Sequence, residues 1–538
     1  MNVGEPPKGI KVFASFFKKK AFLSSFFFEK KNQKTSIPGS LVRLLAVRPK
    51  LCALLAGVMA ALALPPISLV PLIFVAFPGL YFLLAAAPGA RAAAWRGFAF
   101  GMGYHLVGLF WITNAILIMA AEFWWAVPIS VPLLAAVLSV FIALPCGLAV
   151  RFFPAGLPRI LGLAGLWVLF DLGRQFFLTG FPWNELGTIA VMPGEVGLAM
   201  MQAASLATVH GLTWLVLLVS LLPVLGRRGM AASAAILVLW AGFGLARLRP
   251  AVSSGIDAVL VQGNVSQTAY LAHLGDIEWA REVFQRHLAL TQEGARAGTA
   301  PFIVVWPEVA SPWWLAQDEG ARVMIMDAAK PALAAVIGAP REGEGGPRNS
   351  VFVLTPDAHV AAYYDKTHLV PYGEYFPSYL PIKLGPNGWV PGPGIRTLHV
   401  PGVPALGPLV CFEAIFPGQV ADERDRPAML LNLTDDAWFG DSTGPRQHLA
   451  QARLRAVEEG LPFLRAANTG ISAVIDPYGR LTATLSLNKT GYLRAVIARS
   501  LPPTVVAEMG LWSALILAAI SVCMGVFCRF LGKYPTTI

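Results

Sequence analysis

Hydrophobicity along this chain falls into two regimes. From residue 51 to about 250, and again near 509–531, apolar positions run on for about 20 residues at a stretch, enough to cross a bilayer as a helix. Eight spans are predicted, near 51–68, 71–88, 94–118, 125–150, 160–178, 198–225, 231–248 and 509–531, the first broken by Pro65-Pro66. Between the seventh and eighth, over residues 255–500, short apolar runs alternate with helical stretches. Strands are predicted at 258–262, 302–306, 334–338, 351–354, 360–364, 409–411, 429–432, 463–466 and 472–475, with helices at 276–295 and 444–460. Short apolar strands alternating with helices imply a helix-covered sheet. The fold class is therefore a polytopic α-helical membrane bundle (51–250, completed by 509–531) joined to an α/β domain.

Charge changes the picture once it is located. The 538 residues carry a net +11, which would suggest nucleic acid. Residues 1–50, however, hold nine lysines and two arginines against two glutamates, leaving only +2 for the rest. The excess is a basic tail facing anionic lipid rather than a nucleic-acid groove. Its Phe- and Lys-rich segment, 13–34, fits a surface-lying helix, a disordered leader, or translated upstream sequence; it lacks the cleavage site of a signal peptide.

With the tail inside, the inner loops carry Arg91 and Arg96, Arg151 and Arg159, and Arg227 and Arg228, and the C-terminus carries Arg529 and Lys533. The outer loops 119–124 and 179–197 carry no Lys or Arg. This positive-inside alternation requires an even number of spans and puts the 255–500 domain outside the cytoplasm. Trp111, Trp124, Trp125, Trp183 and Trp512 then fall near the outer face, as an interfacial belt would.

Of the five cysteines, Cys52, Cys146, Cys523 and Cys528 lie in apolar spans; only Cys411 lies in the hydrophilic domain, where no partner for a disulfide exists. It ends an apolar run at a strand-to-helix turn, a placement suited to a nucleophile. Two other strands deliver polar residues at their ends: Phe-Ile-Val-Val-Trp-Pro-Glu (302–308) brings Glu308, and Ala-Ala-Tyr-Tyr-Asp-Lys (361–366) brings Lys366. If the three strands are neighbours, their ends converge on one rim of a sheet. A thiol needs a base at neutral pH, and Glu308 can take the proton. Lys366 and the backbone N–H of Phe412 can stabilise an oxyanion. A Cys–His dyad would need His368 or His448. No P-loop, dinucleotide fingerprint or metal-ligand spacing is present, so neither cofactor nor metal is expected.

Trp-Pro-Glu (306–308), Asp-Lys-Thr-His-Leu-Val-Pro-Tyr-Gly-Glu (365–374), Val-Cys-Phe-Glu (410–413) and Asn-Leu-Thr-Asp-Asp-Ala-Trp-Phe-Gly (432–440) together resemble the nitrilase, or carbon–nitrogen hydrolase, superfamily. With the bundle and Gly-Phe-Pro-Trp (180–183), residues 45–535 resemble its apolipoprotein N-acyltransferase branch. That resemblance implies an αββα sandwich, a Glu308–Lys366–Cys411 triad, and a bacterial inner-membrane location with a periplasmic catalytic domain. It also implies a ping-pong reaction: an acyl chain leaves a phospholipid for the thiol, then passes to the α-amine of a diacylglyceryl-cysteine lipoprotein. The enzyme is expected to act as a monomer.

Glu374 resembles the family's additional active-site glutamate, expected to orient Lys366 or shuttle the proton. Glu413 resembles another required position. Phe412 stands where the family often has Tyr, so no hydroxyl acts there. Trp183, Trp313, Trp314 and Trp438 are candidate substrate contacts, and the loops 311–315, 375–377 and 387–394 candidate lipid contacts. Asn432, Asp435, Asp436 and Trp438 are expected to build the loop beside the site, and Gly470 to serve a turn. Asp171 and Arg174 are expected to pair within span five. Two rivals remain: a tethered amidase that admits water in the second step, and a transporter or scaffold with an inert domain. The intact triad and the scarcity of charges in the spans argue against the latter.

Overall fold

The structure, a computed structural model, describes residues 48–376 and 388–531. The basic tail up to residue 47, Pro377 and Asn387 of the predicted lipid-contact loops, and Lys533 lie outside the described residues.

The eight apolar runs form helices of unequal length. Among the described residues, Trp124–Phe152, Ala204–Leu225, Arg227–Arg247 and Trp512–Phe530 are long and apolar enough to cross a membrane, and the pair Ala90–Gly108 and Ile112–Ile118, bent by 55°, would make a fifth. The first two runs give the shorter helices Pro49–Leu62 and Ile73–Ala85. The fifth gives Leu157–Arg174, whose Arg159, Asp171 and Arg174 dilute its hydropathy. The sixth is divided: its start belongs to the helix Gly194–Met201. Small residues let these helices approach closely. A Cβ at Gly97 would lie 2.7 Å from Cys146 Cβ, and one at Gly101 would lie 2.8 Å from Ser139 Cβ.

Among its described residues the hydrophilic domain contains twelve strands: Ser253–Gln262 (β1), Phe302–Val305 (β2), Ala334–Gly343 (β3), Gly346–Leu354 (β4), Val360–Asp365 (β5), Leu398–Val400 (β6), Val403–Val410 (β7), Met429–Thr434 (β8), Phe463–Ala467 (β9), Ser472–Ile475 (β10), Leu481–Leu485 (β11) and Gly491–Ala498 (β12). They form two six-stranded sheets, ordered β12-β1-β2-β3-β4-β5 and β11-β10-β9-β8-β7-β6. Each has a parallel centre, β1-β2-β3 or β7-β8-β9, flanked by antiparallel strands.

Both faces of each sheet are covered, which is why the central strands are continuously apolar. Leu260, Ile303, Val336 and Val353 of the first sheet meet Val410, Leu431, Leu433 and Leu464 of the second. The alternate residues Val259, Val304 and Ile337 pack under the helices Ile277–Arg296 (α1) and Glu319–Ala329 (α2). Leu430, Phe463 and Ile475 pack under Thr443–Glu459 (α3) through Leu449, Ala452 and Ala456. Ser442 accepts the Gly444 N–H at the start of α3, and left-handed Gly460 ends it, a cap pattern legible in the sequence. The result is an αββα sandwich.

α3 is the element that seats this domain on the bundle. Both its faces are buried, one by the sheet and one by helices. Glu458 accepts the Val209 N–H at 2.8 Å, where the backbone of Ala204–Leu221 breaks at Ala207 and Thr208. Gln202 Nε2 donates to the Tyr478 carbonyl at 2.8 Å, and Asn114 Nδ2 to that of Phe439 at 2.9 Å. Residues 182–191 are buried throughout beneath this contact. Trp111 and Trp183 are therefore interior, at 4% and 1% exposure, rather than members of an interfacial belt; Trp124, Trp125 and Trp512 are exposed.

Candidate active site

β7 ends at Val410, and Cys411 opens a short turn, Cys411–Ile415, instead of closing the strand. Its φ is +49°. A non-glycine residue in that region costs about 1–3 kcal/mol and persists only when its surroundings hold it. Here three side chains do so. Glu413 Oε2 accepts the Val410 N–H at 2.7 Å, Asn432 Nδ2 donates to the Cys411 carbonyl at 3.2 Å, and His448 Nε2 lies 3.2 Å from the same oxygen.

Lys366 follows β5 directly. Its N–H donates to the Asn349 carbonyl on β4 at 2.8 Å, and its own carbonyl accepts from Gly392. Its side chain is almost wholly buried, with Nζ 3.0 Å from Glu308 Oε1 and 2.9 Å from Glu374 Oε1. Asn349 Nδ2 donates to both of those oxygens, at 2.8 and 3.2 Å. The Asp435 N–H donates to Glu308 Oε2, and the Val370 N–H to Glu374 Oε2. Every carboxylate oxygen is thus held. The loop carrying Glu308 lies against β3, where a Cβ at Gly338 would come within 2.1 Å of the Pro307 carbonyl oxygen; only glycine allows that approach.

The strand ends do not converge on one rim of one sheet. β2 and β5, which bring Glu308 and Lys366, belong to the first sheet, and β7, which brings Cys411, to the second. The site forms where the two sheets face each other, and Glu413 joins them. Its Oε1 accepts from the Tyr364 hydroxyl at 2.8 Å, the Thr367 N–H at 2.6 Å, the Thr367 hydroxyl at 2.8 Å and the His368 N–H at 3.1 Å.

The electrostatics follow from burial. Desolvation pushes the Cys411 thiol well above its ordinary pKa, the Glu308 carboxylate pushes it further, and Lys366 pulls it back. Burial disfavours the Lys366 ammonium, but Glu308 and Glu374 outweigh it and the pKa is raised. These directions favour the neutral Cys411 thiol and the charged Lys366 ammonium, whose Nζ lies between Glu308 and Glu374. Asp435 is pushed up to about 7 by burial, opposed by the Ala437 N–H and reinforced by Glu308. Asp436, also buried, is held well below the usual range by Arg465 and His448.

The remaining predicted residues scatter around this centre. Phe412 stacks on Phe181 at 6.1 Å, beside Trp183. Trp183 donates its indole N–H to Gln447 at 2.9 Å and is a buried packing residue at the mouth of the bundle. Trp313 leans on Phe284 in the core under the first sheet, Trp314 is exposed, and Trp438 is half-buried. The His368 ring stacks on Phe416 at 4.1 Å. His448 Nε2 meets the Cys411 carbonyl, so neither histidine is observed paired with the thiol. Gly470 packs on Asp436, where a Cβ would lie 2.5 Å from Oδ2. Arg174 lies 3.7 Å from Asp171. Among the described residues, no group of His, Cys, Asp and Glu could hold a metal ion.

This arrangement can be set beside known proteins. The Carbon-nitrogen hydrolase family pattern matches residues 268–502, and the Apolipoprotein N-acyltransferase N-terminal domain pattern matches residues 56–222. The chain is 38% identical to the apolipoprotein N-acyltransferase of Bradyrhizobium diazoefficiens over 90% of its own length and 96% of that protein's. It is 36% identical to that of Rhodopseudomonas palustris, over 87% and 93%. The chain belongs to the apolipoprotein N-acyltransferase family. A CN-hydrolase superfamily protein from Xanthomonas campestris aligns with 52% of the chain and 97% of its own at 18% identity and a TM-score of 0.35.

Several contacts in this apolipoprotein N-acyltransferase family member escape sequence reasoning. Asn349 bridges Glu308 and Glu374 from a strand with no motif. The only hint is a polar pair, Asn349-Ser350, at the head of an apolar run. Arg465, in the middle of β9, is fully buried and donates to Asn432 Oδ1 at 2.5 Å and Asp436 Oδ2 at 2.6 Å. A charge inside an apolar strand was the available signal.

Proposed function

We propose that this protein N-acylates lipoproteins through a Cys411 thioester, the last step of bacterial lipoprotein maturation. The observation that carries the reading is Lys366, buried between Glu308 and Glu374, beside a nucleophile elbow that opens against the bundle's outer aromatic cluster. Glu308 accepts the Cys411 proton as the thiolate attacks a phospholipid acyl carbonyl. The Lys366 ammonium and the Phe412 N–H stabilise the oxyanion, in a site where burial strengthens both. The lysophospholipid leaves with the proton from Glu308. The acceptor's α-amine then attacks the thioester, Glu308 takes its proton, and the thiol is regenerated. Glu374 holds the Lys366 ammonium in place, and Glu413 fixes the elbow.

Both substrates are lipid-anchored, which gives the fused bundle its purpose: the mouth of the site stays at the bilayer. Loop charges orient the catalytic domain to the periplasmic side of the inner membrane, and eight apolar runs make the crossings. The membrane-anchored architecture disfavours the amidase alternative, which needs no bundle. The test is reconstitution in phospholipid vesicles with a diacylglyceryl-cysteinyl peptide. An amide-linked acyl group on the peptide supports the proposal; release of free fatty acid without peptide acylation refutes it.

A further inference from the structure

Two adjacent residues of α3 face different partners. Gln447 Oε1 accepts the indole N–H of Trp183 at 2.9 Å and of Trp111 at 3.1 Å. A carbonyl oxygen has two lone pairs, and both are used. Both indoles are buried and need an acceptor. Next to it, His448 Nε2 meets the Cys411 carbonyl at 3.2 Å. A carbonyl can only accept, so this contact is attractive with the proton on Nε2. On the far side of the ring, Nδ1 lies 3.1 Å from an Arg465 guanidinium nitrogen and 2.9 Å from Asp436 Oδ1. The ring also packs against Trp183, centroids 5.4 Å apart. His448, Asp436, Arg465 and Asn432 are all inaccessible to solvent or nearly so.

We infer that the Gln447-His448 step positions the nucleophile relative to the bundle: His448 holds the strained Cys411 elbow by its carbonyl while Gln447 locks the same helix turn to Trp111 and Trp183. Helix neighbours project about 100° apart, so one turn can engage both partners at once. A left-handed cysteine is the backbone state most in need of such fixing. Neither residue touches the reacting atoms; both are positioning residues. The inference rests on Cys411 being the nucleophile proposed above.

The test uses the full-length protein in phospholipid vesicles. Two rates are followed at Cys411: acyl-adduct formation by intact mass, and alkylation by iodoacetamide by peptide mapping. Thermal unfolding is recorded for each variant. His448→Ala should lower adduct formation about 100-fold, the order expected from a misplacement of about 1 Å, and should change the alkylation rate. His448→Gln, which can present an N–H where Nε2 was, should recover most of both. Gln447→Leu should lower adduct formation, and Gln447→Glu, which keeps an acceptor, should restore it. A folded His448→Ala with wild-type rates, or a folded His448→Gln no better than His448→Ala, would overturn the inference. If the wild type itself forms no adduct, the acyl-transfer reading fails, while the alkylation order of the His448 variants still decides the positioning role.

Discussion

Glu413 accepts the Thr367 N–H at 2.6 Å, so the residue after Lys366 is tied to the residue two beyond Cys411. The same carboxylate accepts from Val410, Tyr364 and His368. It is a pin between the two sheets, and the relative placement of ammonium and thiol depends on it. Glu413→Gln replaces one accepting oxygen with an N–H that faces other donors. It should cost about 1–3 kcal/mol of stability and slow acyl-adduct formation about 100-fold. Chemical unfolding and adduct kinetics measure both; a variant with wild-type values would remove Glu413 from the role of pin between the sheets.

Lys366→Met leaves the partly buried Glu308 and Glu374 without the buried cation between them. Breaking such a buried pair costs about 3–5 kcal/mol, and losing an oxyanion donor slows the chemistry about 10²–10³-fold. Lys366→Arg keeps the charge but cannot fit a planar fork where Nζ sits 3.0 and 2.9 Å from its partners. It should remain slow. Adduct formation at the wild-type rate in Lys366→Arg would mean that charge alone suffices.

Glu308 gives a prediction of opposite signs. Its carboxylate raises the thiol pKa, so Glu308→Gln should lower that pKa and speed iodoacetamide alkylation near neutral pH. Acylation should slow, because the base is gone. Acylation at the wild-type rate would remove Glu308 from the role of base, and slower alkylation would contradict its effect on the thiol.

Much of this candidate site is legible in the sequence. Glu308, Lys366 and Cys411 each end an apolar run, and strand ends are where such chemistry sits. The strands 258–262, 302–306 and 472–475 fall within or at the edges of β1, β2 and β10 because their cores are unbroken β-branched or apolar runs. Three strands escaped: β6 has only three residues, β11 exposes Thr482 and Thr484 among its apolar positions, and β12 is half-buried along most of its length with Arg494 interrupting its apolar run. The pairing of two sheets is legible only through the family resemblance, which implies the αββα sandwich observed; periodicity reports which face is buried but not what buries it. Trp183 was misplaced for a related reason: an indole in an outer loop reads as interfacial until Gln447, 264 residues later, is found beneath it.

Asp435 links the site to pH. Its folded pKa is raised from 3.8 to about 7, so between those values the folded state binds more protons than the unfolded chain. Its stabilising contribution is fully present below pH 3.8 and is lost as pH rises towards 7. Asp435→Asn should flatten this component. The wild-type melting temperature, measured relative to the variant's, should fall between pH 4 and pH 7 and then level off; a constant difference would contradict the raised pKa.

Cys411→Ala tests the account's central claim most directly. The variant should fold and insert as the wild type does, since deleting one sulfur leaves the Glu413, Asn432 and His448 contacts to the neighbouring backbone in place. Intact mass spectrometry after incubation with phospholipid should show an acyl-sized gain on the wild type, discharged by a diacylglyceryl-cysteinyl peptide, and none on Cys411→Ala. An adduct on the alanine variant, or peptide acylation without any adduct on Cys411 in the wild type, would contradict the thioester mechanism.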